Sequence, residues 1–127
     1  MSTVFPTLHE LVELHTKLIA RFGGSPGVRD MGYLESALYR PQTGYYDSLA
    51  EQAGALLQSL AMNHGFVDGN KRVSFVMTAI FLRLNGYRLI VKAEEAEGFM
   101  IDNVIVASAD LVTIASWLSE RMHPLPA

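Results

Sequence analysis

His64-Gly65-Phe66-Val67-Asp68-Gly69-Asn70-Lys71-Arg72 packs an imidazole, a carboxylate, an amide, two cations and two glycines into nine residues. Strongly apolar helical patterns flank it. Leu49, Ala53, Leu56, Leu57 and Leu60 recur at helical spacing before it, and Val73, Val76, Met77, Ile80, Phe81 and Leu84 recur after it. A polar loop held at both ends by core helices is the expectation, and it makes the fold class all-α. The second helix should begin near Asn70, because Gly69 ends the loop and the apolar period starts just beyond it.

The residue types of the loop suggest phosphoryl or nucleotidyl transfer. The unpaired amides and positive dipole end of a helix start, together with Lys71 and Arg72, favour an anion, and phosphate is the obvious one. Gly69 lets the backbone approach it closely. Asp68 suits a hard divalent cation such as Mg2+ bridging carboxylate and phosphate oxygens, although Asp is also among the best N-caps. His64, at the end of the preceding helix, can act as a polar cap or accept a proton from an attacking hydroxyl near neutral pH. Asn70, Lys71 and Arg72 read either as an exposed polar first turn or as phosphate contacts. Phe66 points inward and pins the loop to the core.

Outward from the loop, Ser48 and Glu51 form a capping box for the helix that runs down to His64. Its Ala53-Gly54-Ala55 stretch is thin enough for close packing against another helix. The helix from Asn70 to Leu84 is apolar nearly all round and reads as the buried central rod, stopped by Asn85-Gly86. Thr7 and Glu10 form another capping box and open a first helix that stops at Gly23-Gly24. His9 and His15 lie on that helix without an acidic or histidine partner in a ligand arrangement, so both read as ordinary helix residues. Gly23 to Gly27 lacks the Gly-Lys-Ser/Thr ending and the preceding strand of a P-loop and reads as a turn. Asp30 caps a short helix from Met31 to Tyr39, ended by Pro41, and Thr43 to Asp47 reads as loop.

Tyr87 to Val91 reads as an extended connector with no partner strand. Glu94 to Ala107 and Leu111 to Met122 read as two further helices, the last capped by Ser108 or Asp110. Glu94, Glu95 and Glu97 crowd a first turn, where the dipole favours them, and read as solvated charge rather than a metal cluster. The total is a compact bundle of about six helices in one domain spanning 1–127, with its core at about 7–121 and a loose tail over 123–127.

The 127 residues include 10 basic and 13 acidic side chains, for a net charge of −3, which argues against a general nucleic-acid binder. Without cysteine there is no disulfide framework and no thiol nucleophile. The N-terminus lacks a basic segment followed by an apolar one, and the longest apolar run is far too short for a membrane span, so a soluble, unexported, cytoplasmic protein is expected.

The nine-residue stretch resembles the signature of the Fic superfamily, His-Pro-Phe-x-Asp/Glu-Gly-Asn-Gly-Arg, and more closely its Doc (death on curing) branch, which carries Asn-Lys-Arg. Gly24-Ser25-Pro26-Gly27-Val28-Arg29-Asp30, followed by Tyr33-Leu34-Glu35-Ser36-Ala37-Leu38 and Arg40-Pro41, resembles the segment that precedes the active helices in that branch. The resemblance runs from about Thr7 to about Glu120. It implies a Fic fold and a type II toxin whose His64 is general base, with Asp68 on Mg2+ and Gly69, Asn70, Lys71 and Arg72 on the phosphates of ATP. By the same resemblance Arg29, Tyr33, Tyr45 and Tyr46 become candidate contacts to the target chain.

Two departures bear on the chemistry. Gly65 stands where proline is usual, which should loosen the loop. Lys71 stands where adenylylating members have the glycine that admits the α-phosphate. The Doc branch presents the γ-phosphate instead, so the resemblance implies a Ser/Thr protein kinase, in Doc acting on elongation factor Tu, neutralised by a short Phd-like antitoxin beside the active loop. AMP transfer is the alternative within enzymes, and an inactive partner-binding module is the alternative outside them.

Overall fold

The structure, a computed structural model, describes residues 2–126; Met1 and the last residue of the expected tail, Ala127, lie outside it. Six α-helices account for the bundle: α1 (Leu8–Phe22), α2 (Met31–Tyr39), α3 (Leu49–Met62), α4 (Asn70–Leu84), α5 (Ala93–Gly98) and α6 (Leu111–Arg121). The expected caps are in place. Thr7 and Ser48 each accept from the backbone N–H three residues on, while Glu10 and Glu51 accept in return from the cap backbone. Asp30 caps α2, and Asp110, rather than Ser108, caps α6. Gly23, at φ 87°, ends α1 by donating its N–H to Ile19.

The core is built on α3 and α4, which carry Leu56, Leu57, Val73, Phe81 and Leu82 with no solvent exposure. The thin stretch of α3 meets α6 as its composition suggests: a Cβ added at Gly54 would lie 3.1 Å from Leu111 Cδ1 and 3.4 Å from the Ala115 backbone nitrogen. Two polar residues on the buried face of α4 are satisfied within the helix. Ser74 Oγ donates to the Lys71 carbonyl and Thr78 Oγ1 to the Ser74 carbonyl, at 2.6 and 2.7 Å.

Three expectations are corrected. Tyr87–Leu89 (β1) does have a partner: it pairs antiparallel with Met122–Pro124 (β2), placing Arg88 opposite His123. The tail is therefore not loose over its described part, since Ile90 donates to the Arg121 carbonyl and Leu125 to that of Gly86, at 2.9 and 2.8 Å. Three-residue strands are too short to show a period-2 pattern, and their stability comes from backbone pairing that side-chain patterning does not report. The third correction concerns the helix expected over Glu94 to Ala107. It begins at Ala93 and, after Gly98, widens into a π-helical segment, Phe99–Val106, whose end is marked by Ala107 donating to Asp102, five residues back. The wide turn brings Phe99, Met100 and Val104 all into the core, with Phe99 stacked on Trp117 at 4.0 Å between ring centroids.

No helix among the described residues is long and apolar enough to cross a membrane.

Candidate active site

The loop between α3 and α4 is closed on itself by Asn70. Its side-chain Oδ1 accepts from the Phe66 N–H at 3.0 Å, and its Nδ2 donates to the Phe66 carbonyl at 2.9 Å. The Asn70 side-chain amide expected on phosphate is thus turned inward, which leaves its backbone N–H as the group free at the helix start. Gly69 adopts φ 77°, a left-handed conformation, and as the N-cap of α4 it supplies no side-chain acceptor. The first amide of the helix to find a carbonyl is that of Val73, bonded to Gly69. The N–H groups of Asn70, Lys71 and Arg72 have no partner among the described residues, which is the condition for anion binding at a helix start.

A second backbone segment supports the loop. The chain from Gly24 to Asp30 runs alongside it: Val67 donates to the Gly27 carbonyl, and Arg29 and Asp30 both donate to that of Gly65, at 3.1, 2.8 and 3.0 Å. Val28 and Phe66 form an isolated antiparallel bridge. Gly65 is buried and its carbonyl accepts two hydrogen bonds. The structure also shows why glycine stands there. A Cβ at this position would come within 2.9 Å of Leu34 Cγ and closer still to its Cδ2, and Leu34 is itself buried at 2% exposure. Gly65→Ala is expected to destabilise the fold by about 1–3 kcal/mol through overpacking. A thermal-denaturation cycle with Leu34→Ala checks it, since the penalty at position 65 should largely vanish once the leucine branch is removed.

His64 is exposed and adopts φ 52°. Its carbonyl accepts from Arg29 Nε at 2.9 Å, which holds the residue in this left-handed conformation while its imidazole makes no hydrogen bond among the described residues. Arg29 is therefore spent in part on positioning His64, and its guanidinium also lies 5.9 Å from the centre of the Tyr33 ring. Tyr45 and Tyr46 are not brought to the loop by any hydrogen bond. Tyr46 accepts from Arg40, which is tied in turn to Gln58 and Ser59 of α3, and Tyr45 packs edge-on against Tyr46.

Asp68 does not cap α4. One of its carboxylate oxygens accepts from the Ser25 N–H at 3.0 Å and the other from the Gly69 N–H at 2.8 Å. These two backbone donors, Ser25 foremost, hold its carboxyl below the usual carboxylate range, so it is ionised at neutral pH. Gly24 leaves the necessary room, since a Cβ there would lie 2.7 Å from Asp68 Oδ2. An exposed, oriented carboxylate with lone pairs to spare suits Mg2+, which is held through one or two carboxylates while the nucleotide and water supply the rest. Among the described residues no group of three or more acidic or histidine side chains could by itself hold a metal.

The two cations have contacts that an anion would compete with. Lys71 Nζ lies 3.5 Å from Glu97 Oε1 in a partly exposed pair, and the Arg72 guanidinium lies 4.3 Å from the centre of the Phe22 ring. An exposed ion pair such as Lys71–Glu97 holds weakly. Glu95 pairs with Arg121, so the acidic run of α5 is divided between two partners and is not a cluster.

One residue of the site escaped the sequence reading. His15 of α1 is 3% exposed; its ring stacks on Phe66 with centroids 3.7 Å apart, and its Nε2 lies 2.7 Å from the Asp68 carbonyl oxygen. The pattern that would have found it is the spacing Leu8, Leu11, His15, Leu18, which places the imidazole on the apolar face of its helix.

Known proteins share this arrangement of sequence. Residues 5–82 match the Fic/DOC family model. A Toxin Doc of Mycolicibacterium smegmatis is 44% identical over 105 residues, covering 77% of this chain and 80% of its own. The Protein kinase doc of Escherichia phage P1 is 36% identical over 92 residues, covering 69% of this chain and 73% of its own. On these matches the chain belongs to the Fic/DOC family, in its Doc branch.

Proposed function

We propose that the protein is the toxin of a type II toxin–antitoxin pair and acts as an ATP-dependent protein kinase on a serine or threonine hydroxyl of a translation factor, with elongation factor Tu the leading target. The observation that carries this reading is the uncapped start of α4, with three free amides and two cations, facing a loop that also presents His64 and an oriented Asp68. The relative from phage P1 named as a protein kinase supports it, as does Lys71 in place of the glycine of adenylylating members.

In this mechanism His64 takes the proton of the target hydroxyl as its oxygen attacks the γ-phosphorus. A new O–P bond forms, the bond from the γ-phosphorus to the β–γ bridging oxygen breaks, and ADP leaves with that oxygen. The amides of Asn70, Lys71 and Arg72 and the Lys71 and Arg72 side chains bind and orient the phosphates and offset the charge that shifts during transfer. Asp68 would hold Mg2+, which when bound neutralises phosphate charge. Phe66 and the Asn70 side chain keep the loop in place.

A Phd-like antitoxin is the partner of this reading, docked beside the loop. An apolar groove of about 220 Å³ between α4 and α5, lined by Phe75, Val76, Ala96 and Met100 and by the Lys71–Glu97 pair, supports that placement. The protein works in the cytoplasm, where its target and nucleotide are found.

The test is transfer of label from Mg-ATP to protein in a bacterial extract. Label from the γ-phosphate entering one protein is the expected result, with purified elongation factor Tu as the first single substrate. Label from the α-phosphate would replace the kinase with AMP transfer, and no transfer of either would leave an inactive binding module.

A further inference from the structure

We propose that His15 is a positioning residue of the active loop: its imidazole N–H sets the Asp68–Gly69 peptide plane, and through that plane the direction of the Asp68 carboxylate and the start of α4. The proposal rests on the kinase reading for its catalytic consequence, and on geometry alone for the positioning.

The buried polar side chains of the core are His15, Ser59, Ser74 and Thr78. Ser74 and Thr78 bond to their own helix, and Ser59 accepts from Arg40. Only His15 reaches across the fold, 53 positions along the chain, to the loop. A phenylalanine could stack on Phe66 without burying a polar nitrogen, so what histidine adds is the hydrogen bond. A carbonyl oxygen only accepts, so Nε2 must carry the hydrogen, whatever the state of Nδ1.

The consequence follows from the planarity of the trans peptide, in which C=O and N–H point in opposite directions. With the Asp68 carbonyl held towards α1 by His15, the Gly69 N–H is turned the other way, where it donates to Asp68 Oδ1 at 2.8 Å. The second oxygen is then presented to the Ser25 N–H at 3.0 Å. The same imidazole lies beside Gly69: a Cβ added there would be in ordinary contact with His15 Nε2 at 3.6 Å and tighter against Ile19 Cδ1 at 3.3 Å. Gly69 is the residue whose left-handed conformation begins α4 without a cap. One buried ring thus links the carboxylate to the free amides.

Two variants separate donor from packing. His15→Phe keeps a flat ring against Phe66 and removes the N–H, and His15→Gln keeps an N–H donor at a similar reach while losing the stack. Three readouts apply: amide hydrogen exchange at Gly69, kcat and KM for γ-phosphate transfer, and nitrogen NMR of the His15 ring in the parent protein. The expected result is Nε2 protonated in the parent. In folded His15→Phe, Gly69 exchange should be faster and kcat lower by about 10–100-fold, the usual range for residues that orient ligands indirectly, with a smaller change in KM. His15→Gln should recover most of kcat despite its poorer packing. The proposal is overturned if the parent carries the hydrogen on Nδ1 with Nε2 bare, a measurement that does not depend on either variant folding. It is also overturned if His15→Phe matches the parent in exchange and kcat, or if His15→Gln is the worse of the two. A parent protein that transfers no phosphate counts against the kinase reading, and the ring NMR and Gly69 exchange still decide the role of His15.

Discussion

Replacing His64 by alanine is expected to lower the rate of phosphate transfer by about 10²–10⁴-fold, the range that a general base contributes, with little change in thermal stability. The asymmetry comes from how the residue is held. Its imidazole is exposed and makes no hydrogen bond among the described residues, while its backbone is fastened through the carbonyl to Arg29. On the proposed mechanism, removing the ring therefore takes the base and leaves the loop. The φ of 52° calls for a companion variant, because alanine is less at ease in the left-handed region than asparagine. His64→Asn keeps a residue that accepts this conformation and still removes the base, so both variants should be inactive to a similar degree. Single-turnover transfer from γ-labelled ATP gives the rate, and growth after induction gives the cellular effect. If His64→Ala stops growth as strongly as the parent, the kinase mechanism is lost.

What the sequence revealed and what it hid divide along the range of the interactions. The helices of the bundle were legible because their signals are local: Thr7 with Glu10 and Ser48 with Glu51 are reciprocal bonds across three residues, and Gly23 and Gly86 supply the positive φ at which chains turn. The nine-residue loop was legible for the same reason, as a cluster of unusual chemistry between two apolar periods. Hidden were the contacts that reach across the fold. The strap from Gly24 to Asp30 holds the loop by backbone bonds that carry no side-chain signature. The β1–β2 pair is likewise a backbone affair of three residues a side. The steric reason for Gly65 is a leucine branch 31 positions earlier. His15 reads in the sequence as an ordinary helix residue; the apolar spacing of α1 could mark it as buried but not as part of the site, because its partner is a carbonyl, which every residue has. Local chemistry names the groups that react, and distant packing decides where they point.

Phe66→Ala tests that division, because Phe66 belongs to both sides of it. The side chain is 1% exposed and sits in the main core cluster, so its truncation is expected to destabilise the fold by about 3–5 kcal/mol. For a domain of this size that corresponds to a fall in Tm of roughly 10–20 °C. Phe81→Ala is the control: it removes the same side chain from an equally buried position on α4, where the ring stacks on Phe5 at 5.5 Å instead of on the loop. The two variants should lose comparable stability. They should differ in turnover measured well below either Tm, where both are folded. Phe66 gives His15 the flat surface against which its ring is aligned, and its own N–H and C=O are the groups that Asn70 clasps. Truncating it frees the imidazole from its stack and lets the Asp68–Gly69 peptide turn, so kcat should fall by about 10-fold or more beyond any loss of folded protein, in the range seen when the support of a reacting group is removed. Phe81→Ala should keep turnover within a few-fold of the parent. Equal turnover in the two folded variants would mean that the loop holds its geometry without the aromatic stack, and that its shape comes from the backbone strap and the Asn70 clasp.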